Sequence, residues 1–126
     1  MPIEDSVYGY NQVDITCSAY LNKNIFNLVP FRPSKRHAFG YVVFIVSYVE
    51  GTVLEFNKHT LSEIRNMSSY YGIELFVDVG GYVKKTIDCF TWIGNIQLTN
   101  KSLDLLQNDV ERIRNMELNN EFFLLE

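Results

Sequence analysis

The stretch Ile96-Gln97-Leu98-Thr99-Asn100-Lys101-Ser102-Leu103 joins a strand pattern to a helix pattern. Ile96 and Leu98 flank the polar Gln97, as in a short strand with one buried face. The helix begins near Thr99 or Ser102, both of residue types that cap helix N-termini. Apolar residues then recur on one helical face, at Leu103, Leu106, Val110 and Ile113. The stretch therefore predicts a strand that leads directly into an amphipathic helix.

A similar order occurs earlier in the chain, where Leu54–Leu61 also runs from strand to polar turn to helix. Thr60-Leu61-Ser62-Glu63 fits the capping box, with Thr60 as the expected cap. Gly72 suits the left-handed residue that ends a helix. Two explanations stay open: a duplicated strand–helix unit, or the convergence of any strand that is followed by a capped helix.

The remaining patterns predict mainly strands. Val13–Leu21 alternates weakly, and Tyr41–Val49 is so apolar that we expect a central strand covered on both faces. Gly80-Gly81 predicts a hairpin turn between two further strands. The other expected elements are strands at 52–56, 73–79 and 82–93. Residues 22–40 form a long loop or carry a short helix around 25–29, and residues 122–125 form a short final strand or dock against the core.

These elements predict an α+β fold: one domain over residues 1–126, with a largely antiparallel sheet of about five to six strands and two amphipathic helices. The chain has 126 residues, of which 47% are hydrophobic and 21% charged, too apolar a composition for a disordered protein. The net charge of −4 argues against direct binding to nucleic acid. The first residues lack the pattern of a secretory signal, and the longest apolar run is too short to span a membrane.

The two cysteines, Cys17 and Cys89, both fall in predicted strands, where a free cysteine packs as a small apolar residue. We therefore expect buried free thiols, with a disulfide as the alternative, and a cytoplasmic protein. Neither His37 nor His59 has a second histidine or a cysteine at a metal-ligand spacing, so we expect no metal and no cofactor. No catalytic signature is present, and we expect a protein that is not an enzyme.

The acidic charge is concentrated at the C-terminal end of the chain. Residues 1–101 carry nine basic and nine acidic side chains, whereas 102–126 carry two basic and six acidic ones. An acidic surface attracts a basic partner over long range and raises the rate of association. The predicted partner-binding residues are Asp104, Glu111, Glu117 and Glu121.

A basic loop is the second candidate site. Arg32, Lys35 and Arg36 lie in a proline-stiffened segment with Phe31 and Phe39. Arginines and aromatic rings bind anions or stack on nucleotides. The same residues also fit a solvated loop whose two rings pack into the core, so both interpretations remain open.

Composition and charge together favour a non-enzymatic protein-binding module. Its sharpest version is a small bacterial immunity or antitoxin protein that neutralises a basic toxin, such as a nuclease, through the acidic surface. The alternative is a regulatory or ligand-binding domain that grips an anionic ligand with the Arg32–His37 loop. A third is an enzyme using residues such as Asp78, Asp88 and Cys89. A homodimer that covers the apolar strand Tyr41–Val49 is a further hypothesis.

Overall fold

The computed structural model describes residues 2–126, which form five helices and six strands in an α+β arrangement. The helices are α1 (Ile3–Tyr8), α2 (Gln12–Leu21), α3 (Lys23–Phe26), α4 (Lys58–Arg65) and α5 (Leu103–Leu118). The strands are β1 (Phe39–Ile45), β2 (Gly51–Phe56), β3 (Tyr70–Leu75), β4 (Tyr82–Val83), β5 (Gly94–Asn100) and β6 (Phe123–Leu125). The α+β class predicted from the sequence is confirmed.

The strands form two antiparallel sheets of three strands each, rather than one larger sheet. The first has the order β1-β5-β3, so β5 is central and β1 lies at an edge. The second has the order β4-β2-β6. Its last strand confirms the expected short strand at the C-terminal end, where Phe123 pairs with Phe56 and their rings pack 5.5 Å apart.

The two predicted helices are α4 and α5, and each follows a strand directly. The Ser102 hydroxyl accepts a hydrogen bond from the Leu105 amide and caps α5, so of the two expected starts, Thr99 and Ser102, the second is confirmed. Thr60 is not the cap of α4, since Asn57 accepts from the amides of His59 and Thr60. Asn57 caps earlier because its side chain reaches the first free amides of the helix, which leaves Thr60 buried inside it.

The core lies between the first sheet, α4, α5 and the second sheet. Its fully buried side chains come from β1, β5, β2 and both helices, and they include Val43, Ile45, Val53, Ile64, Ile96, Leu98, Leu106 and Ile113. On β5, Ile96 and Leu98 pair across the sheet with Val43 and Tyr41 of β1. This alternation places one face of the sheet against α5.

The N-terminal third differs most from the sequence prediction. Val13–Leu21 was expected as a strand, but it forms α2, whose cap Asn11 accepts from the Asp14 amide. Cys17 is therefore exposed on a helix, and Cys89 is exposed in a turn, so the prediction of buried thiols is wrong; both thiols are free. The alternation in this segment was weak, and a local helix cap decided the structure.

Two strand assignments also need correction. Tyr41–Val49 is not a central strand: β1 ends at Ile45 and is an edge, with Tyr41, Val42 and Phe44 partly exposed. Gly80-Gly81 does turn the chain, with Gly80 in the left-handed region, but β3 and β4 lie in different sheets. Gly80 and Gly81 instead hydrogen-bond through their backbones to Val53 of β2. The predicted strand 82–93 is reduced to Tyr82–Val83.

Between residues 2 and 126, the longest helix is α5, and no helix has the length and apolar character needed to cross a membrane.

Candidate partner-binding surfaces

The exposed acidic surface on α5 is smaller than the sequence suggests. Asp104 and Glu111 lie exposed on the outer face of the helix, and Glu121 is exposed in the turn before β6. Glu117 is only 2% exposed, and Asp109 is also buried. Two of the six carboxylates of this segment are thus turned toward the protein interior.

Glu117 forms an ion pair and a hydrogen bond within the chain. Its carboxylate lies 2.8 Å from the Arg114 guanidinium and accepts a hydrogen bond from the Val46 amide. Arg114 in turn donates to the carbonyl of Phe44. The pair therefore ties α5 to the end of β1, and we remove Glu117 from the proposed partner-binding residues because a partner has no access to it.

The basic side chains of the loop do not form a single binding site. Arg32, Lys35 and Arg36 are all exposed, and Phe31 is 99% exposed rather than packed into the core. The Arg36 guanidinium lies over the Phe39 ring, 4.0 Å from its centre. Arg36 belongs to none of the ion pairs within residues 2–126. Of the three cations, Arg36 is the one held in a defined position.

A groove of about 410 Å³ runs beside Arg36 along the edge strand β1. Its floor is the segment 40–42 of β1. One wall is α1 and the other is the first turn of α5; the apolar wall residues are Ile3, Val7, Leu103 and Leu106. Gly40 allows the close approach of α1, since a Cβ there would lie 2.7 Å from a methyl group of Val7. No local sequence pattern indicates this groove, because its floor and its two walls are distant along the chain.

The second exposed apolar surface is the segment 12–31, which we call the arm. It contains α2 and α3, and neither helix has a buried residue. Large apolar side chains of the arm are exposed at Val13, Tyr20, Leu21, Ile25, Phe26, Leu28 and Phe31. Single exposed apolar residues are common on protein surfaces, but this many within one short segment indicates an interaction site. Sequence reasoning missed the arm because it assigned this segment to a strand and a loop.

The residues considered for catalysis or metal binding are dispersed. Asp88 accepts from the Phe90 amide and, with Thr91, closes a local turn in which Cys89 is exposed. His37 donates its backbone amide to the Val7 carbonyl, and His59 lies in the first turn of α4. Among residues 2–126, no three His, Cys, Asp or Glu side chains are grouped closely enough to hold a metal ion.

No protein-family model and no curated protein matches this chain. A solved structure with a similar fold is phosphoribosylglycinamide synthetase from Anaerococcus prevotii, with a TM-score of 0.68 and 19% sequence identity. The similarity covers 98% of this chain and 30% of the synthetase chain. This chain thus has the fold of less than a third of a larger synthetase.

Proposed function

We propose that this protein is a binding module that docks onto further polypeptide through the arm. The observation that carries the proposal is the arm itself, a helical segment of the chain without a single buried residue in α2 or α3. Tyr20, Leu21 and Leu28 are each more than 80% exposed. Covering such side chains releases roughly 25 cal/mol for each Å² of apolar surface removed from water.

The comparison with the synthetase supports the same proposal. In that protein, a region with this fold is one part of a much longer chain, so the fold is one that occurs joined to additional polypeptide. We infer that the arm of the present chain packs against such additional polypeptide, in the same longer protein or in a separate one. The two free thiols agree with the cytoplasmic location that the sequence predicts.

A second candidate function keeps the immunity or antitoxin hypothesis. Asp104 and Glu111 are exposed along the outer face of α5, where a basic toxin has access to them. Glu121 is also exposed, whereas Glu117 is buried. On this hypothesis the partner binds α5, its association slows strongly with added salt, and the arm is not required.

Site-specific photocrosslinking in cells that express the protein natively separates the two candidates. A benzoylphenylalanine replaces Tyr20 in the arm, Asn108 on the outer face of α5, or Tyr82 on β4 as a matched tyrosine control that is 57% exposed. We expect one discrete adduct from position 20 and none from position 82. Mass spectrometry of the crosslinked peptide then identifies the polypeptide bound.

The outcomes differ for each hypothesis. An adduct from position 108 alone, lost at high salt, supports the acidic interface and contradicts docking through the arm. Equal labelling at positions 20 and 82 shows that the arm contacts proteins without selectivity, and absence of any adduct at position 20 also contradicts the proposal.

A further inference from the structure

The groove beside β1 has the features of a site for strand addition. In an antiparallel edge strand, alternate residues direct their N–H and C=O groups away from the sheet. Ile45 turns its carbonyl toward β5, where it accepts from the Ile93 amide. Gly40, Val42 and Phe44 therefore direct their backbone groups toward the open edge.

The far end of this edge is already occupied by side chains of α5. Arg114 donates to the Phe44 carbonyl, and Glu117 accepts from the Val46 amide. These contacts also demonstrate that the backbone groups of even-numbered residues point outward. Within residues 2–126, the backbone groups of Gly40 and Val42 have no such partner. The groove exposes the part of the edge that α5 leaves unpaired.

The walls of the groove define which side chains an added strand can carry. Successive side chains of a strand point to opposite sides, so they would meet α1 at Ile3 and Val7 and meet α5 at Leu103 and Leu106 in alternation. The α5 wall is apolar, and the α1 wall is apolar at Ile3 and Val7 but also carries Glu4 and Tyr8. Arg36, fixed over Phe39 at the start of β1 and free of any ion pair within residues 2–126, supplies a positive charge at one end.

We propose that this groove binds an extended peptide segment, apolar over about three residues and acidic at the end that meets Arg36, which pairs with Gly40 and Val42 of β1. Backbone hydrogen bonds supply affinity in this mode of recognition, and the side-chain pockets supply specificity. The inference goes beyond the proposed function, because it concerns the edge of the first sheet and not the arm.

Titration with a short synthetic peptide, followed by amide NMR spectra, tests the proposal. The probe is acetyl-Asp-Val-Ile-Val-Asp-amide, which carries an acidic residue at either end and so accommodates both strand directions. We expect saturable binding, downfield shifts of the Gly40 and Val42 amides, and slower exchange of the Val42 amide hydrogen. Two N-methylated peptides serve as controls, one methylated at both valine nitrogens and the other at the isoleucine nitrogen. Their affinities for the protein should differ, because only one of these two sets of amides faces β1.

Variants of the protein identify the groups responsible. Val42→Pro removes an outward N–H without touching the pairing with β5, and proline is tolerated on edge strands, so we expect affinity to fall at least about tenfold with the fold retained. Arg36→Gln should weaken binding of the aspartate peptide about tenfold and leave its asparagine analogue unchanged. Lys35→Gln, which removes a neighbouring charge outside the groove, is the matched control.

The proposal is overturned if the peptide fails to saturate, or if both N-methylated peptides bind as well as the parent. If Lys35→Gln and Arg36→Gln lower the affinity equally, the acidic residue of the peptide is attracted by the overall positive charge of the loop. That result contradicts a specific contact between this residue and Arg36. Should Val42→Pro fail to fold, the N-methylated pair still decides the question. None of these outcomes depends on the arm, so the crosslinking result stands separately.

Discussion

Glu117 shows how residues of one type on one helix divide between structure and surface. Its carboxylate is buried against Arg114 and the Val46 amide, whereas Glu111 is exposed on a different side of α5. Position 117 lies four residues after the buried Ile113, on the helical stripe that faces the core. The sequence contained this signal, but counting acidic residues by segment concealed it.

We expect Glu117→Ala to lower the free energy of unfolding by about 2 kcal/mol, because it leaves the Val46 amide without its acceptor and Arg114 without its partner. The exposed position of Arg114, at 43% for the side chain, keeps the loss below that of a fully buried pair. Urea denaturation measures the change. Glu111→Ala, the matched control, should change the free energy by less than about 0.5 kcal/mol. Equal losses for the two variants would show that the Glu117 contacts are not stabilising.

At the scale of elements, β5 depends on close contact between backbones. A Cβ on Gly94 would overlap the Glu74 carbonyl oxygen and lie 3.1 Å from the Leu75 Cα, both on β3. Gly72 on β3 is different, since the nearest heavy atom to its added Cβ is the Gln97 Oε1 at 3.8 Å. Gly72 and Gly94 therefore differ in whether they can be replaced by a residue with a side chain.

We expect Gly94→Ala to destabilise the protein by about 2 kcal/mol, because neither backbone can move without breaking the pairing of β3 and β5. The free energy of unfolding of Gly72→Ala should stay within about 0.5 kcal/mol of the parent value, because the site has space for a methyl group. Thermal and urea unfolding of both variants provide the measurement. A Gly72→Ala loss as large as that of Gly94→Ala would contradict the packing described for this sheet.

The elements that the sequence predicted well are those whose pattern and packing agree. The β5–α5 unit shows the strand alternation at Ile96 and Leu98, the Ser102 cap and a buried apolar stripe at Leu106 and Ile113, although Leu103 is exposed. α2 was not predictable in this way, because none of its residues is buried. Hydrophobic periodicity reports burial, so it misleads where a segment is not buried.

The stability of α2 should be low for the same reason. A ten-residue helix without buried contacts is marginal in water, whereas α5 packs on the core. We expect backbone amides of 14–21 to exchange with deuterium close to the rates of an unfolded peptide, and amides of 107–117 to exchange far more slowly. Hydrogen exchange followed by mass spectrometry tests this. Strong protection of α2 in the isolated chain would indicate that the arm is already packed, and would argue against the proposed docking.

For the molecule as a whole, the sequence predicted the α+β class but not the division into two sheets. That division depends on β2 pairing with β4 and β6, contacts between segments far apart along the chain. The candidate surfaces likewise could be predicted only where they depend on local sequence. The acidic face of α5 was visible from local pattern, whereas the groove and the arm depend on which segments pack together and which do not.

Substitutions in the arm should not change the stability of the core. The triple variant Tyr20→Ser, Leu21→Ser and Leu28→Ser removes three side chains that are 86%, 84% and 81% exposed. We expect its free energy of unfolding to match that of the parent within about 0.5 kcal/mol. Its retention on a hydrophobic-interaction column should fall clearly, because three of the most exposed apolar side chains are replaced by polar ones.

Ile113→Ala is the corresponding core variant, since Ile113 is fully buried. This substitution should lower the free energy of unfolding by about 2–5 kcal/mol. Column retention of the folded protein should not change, because the Ile113 side chain contributes nothing to the surface. If the triple serine variant is destabilised as much as Ile113→Ala, the arm is part of the folded core in solution. The exposed apolar surface on which the proposed docking rests would then not exist in the isolated chain.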